Sequence, residues 1–112
     1  MKIPVHYSLK VARAVVAKID LPKEVAKNCT VESWSNCREQ GLCIKKYDDS
    51  SKAVLIAQQR SSDEILLVCG ILRDFDFQTN QPSEELWNIG RVHFDPKDVK
   101  KAAKHIEKFL TS

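Results

Sequence analysis

What this 112-residue chain lacks narrows its class before any pattern is read. No apolar run approaches the roughly 20 residues of a membrane-spanning helix. The longest runs from Ile65 to Leu72. The N-terminal stretch MKIPVHYSLKVARAVVAKID has no continuous apolar core of the signal-peptide kind, because Lys10, Arg13 and Lys18 interrupt it. A cytoplasmic location is the expectation. The four cysteines, Cys29, Cys37, Cys43 and Cys69, form no C-x-x-C pair, which argues against a zinc knuckle and a thioredoxin-type centre. Reduced thiols are expected, with Cys43 and Cys69 serving as small core hydrophobes. Cys37 with Cys43 is the alternative redox pairing, and nothing in their surroundings marks a low-pKa thiol. G-x-S-x-G, H-E-x-x-H, P-loop and G-x-G-x-x-G signatures are missing, as are internal repeats and low-complexity tracts. No metal and no cofactor is expected.

What is present suits a small globular protein. A hydrophobic fraction of 43% with 29% charged residues argues against disorder, and 112 residues make one domain, 1–112. The net charge of +3 is unevenly laid out. Residues 1–28 hold six Lys/Arg and two acids, residues 29–94 seven and ten, and residues 95–112 five and three. Both ends are basic and the middle is mildly acidic. Such asymmetry steers partners, although lysine on solvated helix faces produces it too.

The apolar spacing sets the elements. Leu9, Ala12, Val16 and Ile19 recur at helical period behind Ser8, an N-cap residue, and Asp20-Leu-Pro stops that helix. PKEVAKN reads as a second, short helix. KIPVHY predicts an edge strand or an arm, and TVESWSN alternates too poorly to decide. LCIKKYD, KAVLIAQQ and EILLVCGILRDFDFQ are strand-like runs separated by the turn clusters DDSS and RSSD. Gly70 within the third predicts a bulge or a bend. SEELWNIG reads as one or two helical turns capped by Ser83 and ended by Gly90, and RVHF as a final strand. The last helix is the clearest: Asp95 as N-cap, then Val99, Ala102, Ala103, Ile106, Phe109 and Leu110 in one stripe, with Lys97, Lys100, Lys101, Lys104 and Lys108 on the remaining surface. The expected fold is α+β: a two-layer domain with an antiparallel meander of about four strands. An N-terminal helix or helical pair and the C-terminal amphipathic helix would cover its single apolar face.

Three constellations could carry function. In RDFDFQ, strand alternation places Phe75 and Phe77 on the covered face and Asp74 and Asp76 on the wet one. In GRVHFD it places Arg91 and His93 on that same wet face. Were the two strands neighbours, Asp74, Asp76, His93 and Arg91 would converge. Two carboxylates and an imidazole can bind a divalent ion or move a proton, the chemistry of a metal-dependent or RNase-like hydrolase. Alternation alone also produces D-x-D on any solvated strand face. His6 and His105 complete the histidines of an RNase-like reading, and no spacing joins them. The second constellation is the lysine face of the last helix, Lys97, Lys101 and Lys104, which could neutralise nucleic-acid phosphates, although mixed charge commonly just solvates such a face. The third is the tryptophans, Trp34 between serines and Trp87 in the short SEELWNIG segment: binding hot spots, or caps on an open end of the core. Without a recognisable catalytic set, the leading expectation is a small soluble interaction protein rather than an enzyme. It would act by contact with a protein partner or by self-association as a homodimer, in the manner of inhibitor or immunity proteins. Its open meander edge would be the interface, with no membrane involved. The hydrolase and the nucleic-acid binder are the alternatives.

Overall fold

The computed structural model describes residues 10–35, 39–59, 64–75 and 83–112. The order is α1 (Lys10–Lys18), α2 (Lys23–Ala26), β1 (Cys29–Ser35), β2 (Glu39–Lys46), β3 (Lys52–Gln59), β4 (Ile65–Phe75), β5 (Ser83–Phe94) and α3 (Val99–Thr111). The strands form one antiparallel sheet in the order β1-β2-β3-β4-β5, each pairing with its neighbour in sequence. The α+β architecture follows from the spacing of apolar residues, with five strands where about four were expected.

Helices α1 and α3 lie side by side on one face of the sheet. Ala12, Val15 and Val16 of α1 and Ala102, Ala103, Ile106 and Leu110 of α3 are buried against Leu42, Ile44, Val54, Ile56, Ile65, Leu67 and Cys69. Burying each Leu, Ile or Val in this layer contributes about 1.5–3 kcal/mol. Past α1, the Asp20 N–H donates to Glu107 Oε2 at 3.1 Å and ties the helices together. The Pro22 carbonyl accepts from the Val25 and Ala26 N–H groups and starts the single turn of α2.

At its far end α3 is held by two strand lysines. Lys46 Nζ donates to the Leu110 carbonyl at 2.8 Å. Lys52 Nζ donates to the Phe109 carbonyl at 2.9 Å and also reaches Ser112. It lies 5.2 Å from the Phe109 ring centroid. The last carbonyls of a helix have no partner within it and carry its negative dipole end, so two ammonium groups suit them.

Two local expectations are corrected and one open stretch is settled. SEELWNIG is not helical but the first two-thirds of β5. A helix of two turns is marginal by itself. Here the segment pairs residue by residue with the outer half of β4, Trp87 with Ile71 and Leu86 with Leu72, and the ladder outweighs the Ser-Glu-Glu capping signal. TVESWS, undecided from its poor alternation, belongs to β1, in unbroken register with β2. Asp95 caps a turn ahead of α3 and not the helix: it accepts the Lys97 N–H at 3.1 Å and the Asp98 N–H at 2.8 Å, and α3 starts at Val99. The bulge at Gly70 stands, as a register shift between Cys69 and Gly70. The expected N-cap Ser8 and the segment KIPVHY lie outside the described residues.

The sheet also departs from the expected single apolar face. Cys43, Ala53, Leu55, Ala57, Leu66 and Val68 form a second buried cluster on the face away from the helices. The central strands β2, β3 and β4 are therefore apolar on both faces, which explains why KAVLIA and ILLVC read as continuous apolar runs rather than alternating ones.

Candidate functional site

The β4–β5 register decides where the acid and histidine positions stand. The two strands are neighbours, as convergence required. Yet Asp74 pairs with Glu84, while His93 pairs with Leu66. Leu66 and Asp74 are separated by eight steps of β4, up to roughly 26 Å of strand at about 3.3 Å per residue. Asp74 and His93 therefore occupy opposite ends of the hairpin. Asp76 and Phe77 lie outside the described residues, and Asp74, Phe75 and Trp87 are described by backbone position. Arg91 pairs with Val68, one face-step from His93, and both are exposed. His93 Nδ1 stands 3.4 Å from Glu64 Oε2, a pair more than half exposed on both sides. His105 sits on the other side of β5, edge-on to the Phe94 ring at 5.9 Å, so His93 and His105 do not meet; His6 lies outside the described residues. No group of three or more metal-ligating side chains occurs among the described residues.

The thiols sit where the core needs small apolar groups. Cys43 and Cys69 are buried thiols outside any disulfide among the described residues, on opposite faces of the sheet. Burial raises the pKa of Cys69. Burial also raises that of Cys29, outweighing Lys46, and its thiol donates to the Val25 carbonyl. A raised pKa leaves less thiolate, the nucleophilic form. Cys37 lies outside the described residues.

Lys100, Lys101, Lys104 and Lys108 of α3 are exposed, whereas Lys97, expected on the same helix face, is exposed in the turn ahead of it.

The edges of the sheet are the feature with the most definite geometry. On β5 the register is broken at Cys69/Gly70, and Arg91 and His93 stand exposed. Bulges and charges are how edge strands are kept from pairing. β1 has neither protection in the same degree. Its register with β2 is continuous from Cys29 to Ser35. Its one charge, Glu32, is held by Lys45 across the ladder at 2.5 Å. Thr30, Glu32 and Ser33 are exposed. The Tyr47 N–H donates to the Asn28 carbonyl at 2.7 Å, which fixes the hydrogen-bonding phase of the pair. Positions 28, 30, 32 and 34 then bond to β2, and the N–H and C=O groups of Cys29, Val31, Ser33 and Ser35 point to the open edge. Tyr47 itself, at the end of that ladder, is 54% exposed, the one large exposed hydrophobic among the described residues.

Sequence reasoning expected an open meander edge and singled out Trp34, but it did not name the edge strand or Tyr47: the edge position of β1 is a product of strand order, which no local pattern carries. Trp34 falls within β1, opposite Gly41. No helix among the described residues is long and apolar enough to cross a membrane. No family model, curated protein or solved structure matches this chain, so its function must be argued from the residues and their geometry.

Proposed function

We propose that this is a protein-binding domain whose β1 edge accepts an extended strand from another polypeptide, a second copy of the chain or a partner. The observation that carries the reading is the continuous, nearly uncharged edge from Cys29 to Ser35 with four outward N–H and C=O pairs and the exposed Tyr47 ring at its end. Strand addition draws its affinity from main-chain hydrogen bonds and its specificity from alternate side chains. Tyrosine and tryptophan are among the residue types most enriched at binding hot spots, which gives exposed Tyr47 the anchoring role and leaves Trp34, placed in β1 by its backbone, as the sequence's own candidate. A domain of this kind works by occupying a partner surface, as inhibitor and immunity proteins do; that comparison is analogy at the level of architecture.

The test uses Ser33→Pro, which removes an outward donor without removing a ladder bond to β2, and Ser33→Lys, which keeps the donor but adds an edge charge. Self-association is measured by sedimentation from micromolar to millimolar concentration, and partner capture by tagged wild type and variants in native lysate. The reading expects an association in the wild type that is lost in both variants at unchanged circular dichroism. Association that survives both, or none of either kind, overturns it.

A further inference from the structure

The helical layer presents a second surface, on the side of the molecule away from the sheet. Within α3, exposed Lys100, Lys101, Lys104 and Lys108 fall within about 100° of arc at roughly 100° per residue. They lie opposite the buried stripe of Ala102, Ala103, Ile106 and Leu110. In α1, exposed Lys10 and Lys18 likewise oppose buried Ala12, Val15 and Val16. Both helices bury their apolar stripes on the same sheet face, so all six ammonium groups project outward from one layer. None of the six is in the ion pairs seen among the described residues, which include Lys45–Glu32, Lys46–Asp48 and His93–Glu64. Glu107, the acid nearest this stripe in α3, is engaged by the Asp20 N–H.

We propose that this lysine layer binds the phosphate backbone of duplex nucleic acid without reading its sequence. Charge complementarity selects a polyanion. The four α3 lysines span about 12 Å of helix axis, and duplex DNA offers a charge about every 1.7 Å, so several phosphates face them at once. A bilayer surface is disfavoured, because the apolar stripes that would enter it are consumed in the core and the layer exposes no large hydrophobic among the described residues. Single strands are disfavoured, because the layer offers no exposed aromatic platform among the described residues on which bases could stack. Lysine acts as a point charge without a fork, which suits contact with phosphate rather than recognition of base edges.

The experiment is fluorescence anisotropy of a labelled 20-base-pair duplex from 20 to 200 mM NaCl. It compares wild type with a variant carrying Lys100→Gln, Lys101→Gln, Lys104→Gln and Lys108→Gln, its fold checked by circular dichroism and Tm. The wild type should bind two unrelated duplex sequences within twofold of each other. Its log K should fall steeply with log salt. The variant should bind at least tenfold more weakly at 50 mM and lose up to about 3.6 units of slope, roughly 0.9 per lysine. Ser33→Pro should bind as the wild type does, which separates this surface from the β1 edge. Absence of wild-type binding at 50 mM, a flat salt response, or an unchanged variant overturns the proposal. So does tighter binding to a single strand of equal charge or to vesicles containing 30% phosphatidylserine.

Discussion

Gly41 shows how much one side chain decides. A Cβ built there would stand 1.9 Å from the Ile56 carbonyl oxygen and 2.8 Å from the Ala57 Cα, backbone atoms of β3 that cannot swing aside. Gly41→Ala must therefore push β2 and β3 apart at the strand carrying both Leu42 and Cys43. Overpacking of this kind costs about 1–3 kcal/mol, and thermal melting should show a Tm lower by roughly 4–12 °C. Asp48 governs the β2–β3 turn. It accepts both the Ser50 hydroxyl and the Ser50 N–H and pairs with Lys46 at 3.1 Å. These bonds, the Ser50 hydroxyl foremost, hold its pKa down to about 2 against partial desolvation. A depressed folded-state pKa means the contribution is fully present above the unfolded value near 3.8 and is lost as pH falls toward 2. Asp48→Asn should therefore melt below the wild type at pH 7, with the gap closing between about pH 4 and 2. A gap that is constant over that window would deny Asp48 this role.

Among the elements, α3 depends most on contacts that no local pattern announces. Its apolar stripe was readable from Val99 to Leu110 because the 3.6-residue period belongs to the helix itself. The lysines that hold its C-terminal carbonyls, Lys46 and Lys52, come from β2 and β3, more than fifty residues away. Lys52→Met keeps the stem over the Phe109 ring and removes the ammonium. It should cost about 1–2 kcal/mol through the unpaired carbonyls, and hydrogen exchange should show fraying concentrated at Phe109–Thr111. Uniform exchange along α3 would count against the clamp. The same division explains what else was legible. The bulge at Gly70 and the three central strands were visible because glycine and β-branched runs act locally. SEELWNIG was misread because its capping residues are local while its partner, the far half of β4, is not. Alternation correctly assigned faces to Arg91 and His93, but it carries no register, and register is what separates His93 from Asp74.

At the scale of the whole molecule, the sheet and the helical layer present different chemistry. The helical layer is lysine-rich and fully packed beneath. The sheet ends in two unlike edges: β5, bulged and carrying Arg91 and His93, and β1, continuous in register with its single charge already held. The two proposals rest on different residues, Ser33 and its neighbours on β1 and the lysines of α1 and α3, and are tested by separate substitutions. The β1 edge is the central claim. Amide hydrogen exchange at Cys29, Val31, Ser33 and Ser35 addresses it directly, measured in the free protein at micromolar concentration and in the associated form recovered by sedimentation or from lysate. The account predicts fast exchange at these four positions in the free protein and protection of at least tenfold on association, with Thr30 and Glu32 protected in both states by their bonds to β2. Equal exchange at the four positions in both states would contradict it.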